Sequence, residues 1–133
     1  VDSNKHDIPD LPDSVTVYAI RGPLFFGAAE KALSVLRKFN PEIRVAIIDM
    51  RAVPMLDMTA LAALSNVLND YQKNDIGIIF LGATAQVRNE MRRAGISLAN
   101  NKLSYVNSPE QAQSRALRWL DPDAVEQKNS NDS

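Results

Sequence analysis

Short apolar runs alternate with stretches of helical spacing along most of this chain. Residues 15–20, 45–50 and 76–81, and the weaker run 103–106, are rich in β-branched and aromatic side chains and are predicted as strands. Between them, Ala28, Ala32, Val35, Leu36 and Phe39 make one helical stripe, stopped by Asn40-Pro41. Leu61, Leu64, Leu68 and Tyr71 make a second. A third helix is predicted from Thr84 to Ala94, with Val87, Met91 and Ala94 inward and Gly95 as its stop. Ser108-Pro109-Glu110-Gln111 announces a fourth: a capping hydroxyl, proline at the first helical position, and a glutamine placed for a capping box. Ala112, Ala116, Leu117 and Leu120 follow on one face, and Asp121-Pro122 ends it. The resulting β-α-β-α-β-α-β-α order calls for an α/β fold on a largely parallel sheet, and strict alternation by itself points to helices on both faces.

The two ends break this pattern. Residues 1–13 and 121–133 are polar, carry Pro9, Pro12 and Pro122, and show no apolar period, so they are read as a linker and a disordered acidic tail around one domain at 14–120. Each end has a net charge of −3, while residues 14–120 hold 13 Lys/Arg against 8 Asp/Glu. A body of about +5 without a concentrated basic stripe argues against nucleic acid and leaves an acidic partner or an anion open. The 133 residues, 45% hydrophobic and 23% charged, suit one globular core. No run reaches the ~20 apolar residues of a membrane span, and the N-terminus lacks a signal-peptide core.

Catalytic chemistry has few candidates. Cysteine is absent and the only histidine is His6, in the N-terminal segment, so a thiolate, a Ser-His-Asp triad or a histidine metal site in the core has no residues to build it. The five glycines form neither a P-loop nor a dinucleotide fingerprint. The remaining pair is Asp49 and Asp57. Two carboxylates share acid and base work only where their surroundings drive their pKa values apart. Here Asp49 ends a predicted strand and Asp57 opens a predicted helix, where a carboxylate satisfies free N–H groups, so both are read as structural and no metal or cofactor is called for. The helix start at Asp57, Met58, Thr59 and Ala60 is also a generic anion position.

The segment Asp49-Met50-Arg51-Ala52-Val53-Pro54-Met55-Leu56-Asp57-Met58-Thr59-Ala60-Leu61 resembles the signature loop of STAS domains. Gly22-Pro23-Leu24-Phe25-Phe26-Gly27-Ala28-Ala29-Glu30 is similar to the strand-to-helix passage of STAS domains at the cytoplasmic C-terminus of SulP-type anion transporters. The resemblance runs over about residues 15–120. It implies a mixed sheet of four to five strands with helices mainly on one face. It also implies a non-catalytic regulatory and interaction domain of a bacterial transporter of sulfate, bicarbonate or dicarboxylate, at the cytosolic face of the inner membrane. The partners it implies are the membrane domain of the same transporter, acyl carrier protein or a nucleotide, and a homo-oligomer formed through the full-length protein. Asp57, Met58, Thr59 and Ala60 become the regulatory or ligand loop.

The rival is a free-standing anti-sigma-factor antagonist, which is switched by phosphorylation directly after the signature Asp. That position is Met58, which has no hydroxyl. Thr59, the nearest one, is expected to help cap the helix. Phe25 and Phe26, and the arginines Arg88, Arg92 and Arg93 of the third helix, are expected to form a partner surface.

Overall fold

A computed structural model of the chain describes residues 2–3, 8, 10–21, 41–96 and 102–121. The four predicted strands form as β2 (Val15–Arg21), β3 (Val45–Ala52), β4 (Gly77–Leu81) and β5 (Leu103–Val106), preceded by a two-residue β1 (Asp2–Ser3). The sheet order is β1-β2-β3-β4-β5. β2 to β5 are mutually parallel, and β1 pairs antiparallel with β2 through Asp2–Ala19 and Ser3–Tyr18. The sheet is therefore mixed and five-stranded, with four parallel strands. Two residues of the segment read as a linker join it, and Ile8 is 2% exposed.

Three helices are described: α1 (Met58–Lys73), α2 (Ala85–Arg93) and α3 (Pro109–Leu120), which are the second, third and fourth helices of the sequence pattern. The predicted first helix, with Phe25 and Phe26 before it, lies outside the described residues. α1 and α2 share one face of the sheet, packing Leu64, Val67, Val87 and Met91 on Ala46, Ile48, Ile78 and Phe80. α3 covers the other, where Ala112 and Ala116 meet Val17, Ile47, Ile79 and Leu81. Alternate residues of each central strand thus enter opposite layers, and because both layers are filled, β3 and β4 read as near-continuous apolar runs.

Local signals placed the helix ends. Thr84 Oγ1 accepts from Val87 N at 3.1 Å, and Gly95 ends α2 at φ 88°, where a side chain would be strained. Ser108 Oγ accepts from Gln111 N at 3.2 Å. The Gln111 side chain reaches back as a capping box does, but one residue further: its Oε1 accepts from Asn107 N at 2.7 Å. At the start of β4, Gly77 leaves room for Trp119 of α3; a Cβ there would come 2.6 Å from the indole.

Candidate functional site

The site is built where β3 runs into α1. Asp49, near the end of β3, is gripped by Arg51: its Oδ1 accepts from the Arg51 backbone N and Nε, both at 3.0 Å, and its Oδ2 from the guanidinium at 2.8 Å. The aliphatic stem of Arg51 lies over Gly82 at the end of β4, where φ is 73°; a Cβ at Gly82 would run into Arg51 Cγ. A turn from Met50 O to Val53 N at 3.0 Å then lifts the chain out of the sheet. Val53 and Leu56 are pulled into the core while Pro54 and Met55 face outward.

Asp57 starts α1. Its backbone is extended (φ −90°, ψ 179°), its Oδ1 accepts from Ala60 N at 2.8 Å, and its carbonyl accepts from Leu61 N at 2.9 Å. A carboxylate at this end also faces the positive pole of a 16-residue helix. The cap is therefore the Asp57 carboxylate rather than the Thr59 hydroxyl. Thr59 is already the second helical residue, half-buried, with helical backbone that leaves the capping position to the residue before the helix. Ala60 is fully buried, whereas Met58 is 81% exposed, the most exposed large apolar side chain among the described residues.

A cavity of about 640 Å³ opens beside this start, between α1 and the last turns of α2, lined by Leu56, Asp57, Met58, Leu61, Glu90 and Arg93 among others. Glu90 crosses to the loop: its Oε2 accepts from Leu56 N at 3.3 Å, and its Oε1 is buried with no hydrogen-bond partner among the described residues. The carboxylate pair Asp49 and Asp57 does not form a shared acid–base unit here, since one holds Arg51 and the other caps α1.

The arginines expected as one surface are divided by the helix. Arg88 and Arg92, about 40° apart in projection, share the side of α2 on which Arg88 lies over Tyr105 of β5, whereas Arg93 lies about 100° further round and lines the cavity by Asp57. Arg88 sits 5.9 Å from the Tyr105 ring centroid, and that ring stacks on Phe80 at 5.4 Å. Burial pushes the Tyr105 phenol up, partly offset by the positive charges of Arg88 and Arg92. Glu90 and Tyr105 were missed as site residues. The one available signal was Glu90 as an acid inside a strongly basic helix; nothing local pairs Tyr105 with α2.

The loop and sheet together define a domain class, and the chain belongs to the STAS domain family, whose model matches residues 9–112. Among solved structures, the chain is similar to the STAS domain of a SulP transporter from Vibrio cholerae, with 28% identity, a TM-score of 0.69, and coverage of 90% of this chain and 93% of that one. A sulfate transporter family protein from Wolinella succinogenes matches with 26% identity and a TM-score of 0.65, over 84% of this chain and 89% of that one. In sequence, 84 residues are 30% identical to a protein of Bacillus subtilis named as a sulfate transporter, YvdB. This covers 62% of the present chain but only 16% of that relative's length.

Proposed function

We propose that this chain is the cytosolic regulatory and interaction domain of a bacterial SulP-type secondary anion transporter, with transport carried by a membrane part to which it is joined. The supporting observation is likeness along almost the whole chain to a domain from such a transporter, combined with a match to a small fraction of a much longer relative. No helix among the described residues is long and apolar enough to cross a membrane. In this reading residues 14–120 form the body of the domain, 1–13 connect it to the membrane part while adding Asp2–Ser3 to the sheet and Ile8 to the core, and 121–133 are an acidic tail.

The domain acts by binding rather than by catalysis. The two carboxylates best placed for chemistry are engaged in holding the loop and capping α1, where they order backbone groups instead of waiting for substrate. The regulatory loop is Asp57, Met58, Thr59 and Ala60. Its partners, beside the membrane domain, are acyl carrier protein or a nucleotide, and the transporter assembles as a homo-oligomer. An antagonist-type phosphoswitch is disfavoured because Met58 occupies the acceptor position and points into solvent.

The test is the reading frame upstream of Val1. About ten apolar segments of ~20 residues are expected there. With the full protein in vesicles, removing residues 14–120 should lower anion uptake. An upstream start codon with no such segments would overturn the proposal and favour the free-standing rival.

A further inference from the structure

A positively charged surface, separate from the α1 loop, lies around the edge strand β5. β5 pairs with β4 on one side and, among the described residues, has no strand on the other. Its side chains alternate between layers: Tyr105 turns toward α2, and Ser104, 7% exposed, turns toward α3. Both neighbouring helices bring arginines to this edge. From α2, Arg88 lies over the Tyr105 ring and Arg92 acts on the same phenol. From α3, Arg115 donates to Ser104 Oγ at 2.6 Å, and with Arg118 it lines a groove of about 390 Å³ that also reaches Tyr105.

Four guanidinium groups, separated by up to thirty sequence positions, are thereby gathered along one rim. None is in an ion pair among the described residues; the pairs recorded there are Arg51–Asp49 and Lys102–Asp75. Two of the four, Arg92 and Arg118, are exposed and make no recorded polar contact. The groove offers Asn107, Gln111 and Ser114 beside the arginines, with Glu110 as its one carboxylate.

We infer that the β5 rim, formed by Arg88 and Arg92 on one side and Arg115 and Arg118 on the other, is a docking site for an acidic segment of a protein partner. Guanidinium forks match carboxylates in geometry as well as charge, and those of Arg88 and Arg115 are already oriented by Tyr105 and Ser104. A chain laid in the groove reaches hydrogen-bonding groups below the rim that a flat bilayer would leave unfilled. The inference rests on reading this chain as an interaction domain but concerns a surface apart from the regulatory loop.

The probe is a fluorescent octapeptide of glutamate, titrated onto the 133-residue chain at low salt. Binding that weakens as salt rises is expected, because exposed charges are screened beyond about 10 Å at 0.1 M. Arg92→Glu and Arg118→Glu, each at an exposed position on a different helix, should each weaken binding by about fivefold or more. Arg93→Glu, next to Arg92 but facing the other cavity, should change it by less than about twofold. Circular dichroism should show all three variants folded. Loss with Arg92→Glu but not with Arg118→Glu would reduce the surface to α2 alone and overturn the two-helix rim. Absence of peptide binding, or tighter binding to vesicles of anionic phospholipid than to the peptide, would overturn the acidic protein partner. Retained anion uptake in full-length Arg118→Glu, beside lost peptide binding, leaves the transporter assignment standing, so the two proposals fail separately.

Discussion

Glu90 accepts a hydrogen bond from the backbone N–H of Leu56 at 3.3 Å, across 34 residues of sequence, and so ties α2 to the loop that precedes α1. Its second oxygen is buried without a partner among the described residues, which offsets part of what the first contributes. We expect Glu90→Ala to cost about 1 kcal/mol, since Leu56 N would lose its acceptor. Glu90→Gln, which keeps an acceptor oxygen and removes the charge, should cost less. Urea midpoints would show the order, and hydrogen exchange at Leu56 should speed up in the alanine variant. Equal midpoints for the alanine variant and the parent would mean that the loop holds its shape without α2.

Asp57 and Ala60 form the other fixed point of the loop. Replacing Asp57 by alanine removes the acceptor for Ala60 N and the negative charge at the helix's positive end, a loss of about 1 kcal/mol. Asp57→Asn keeps the acceptor and should recover most of that. A denaturation midpoint unchanged in Asp57→Ala would remove the capping argument.

Met58 has no hydroxyl, and Thr59 is half-buried at the second position of α1. Incubation with an anti-sigma kinase that acts on STAS antagonists should therefore leave the loop unmodified. Phosphate found on Thr59 by mass spectrometry would revive a switch, because it would add up to about two negative charges at a helix N-terminus.

Tyr71, on the buried stripe of α1, is 3% exposed, and burial pushes its phenol well above the ordinary range. The folded state thus keeps a proton that the unfolded chain releases near pH 10, so the contribution is whole below about pH 10 and is lost as pH rises beyond it. Tyr71 by itself should contribute a limiting slope of about 1.4 kcal/mol per pH unit above that point, to which Tyr105, also pushed up by burial, adds. Tyr71→Phe should make this alkaline slope shallower while leaving the curve between pH 7 and 9 parallel to the parent's. Identical slopes in the two proteins would assign the alkaline loss to other groups.

The sequence alone determined what depends on neighbours within a turn or two. The strands β2 to β5 follow from short apolar runs, α1 to α3 from stripes of 3.6-residue spacing, and the caps at Asp57 and Ser108 from side chains that reach an N–H three residues ahead. The signature loop was legible for the same reason, since its resemblance rests on contiguous residues. Relations between distant segments were not legible. The three arginines of α2 look like one cluster in sequence, but helix rotation and packing turn Arg88 and Arg92 to the Tyr105 side and Arg93 to the Asp57 cavity. Periodicity shows that a helix has an apolar face; it does not show which layer receives that face. Packing across the sheet placed α3 opposite α1 and α2, which brought Arg115 and Arg118 to the same edge as Arg88 and Arg92 and set Glu90 beneath Leu56. These contacts join residues whose spacing in the chain carries no period, so only the tertiary structure could decide them.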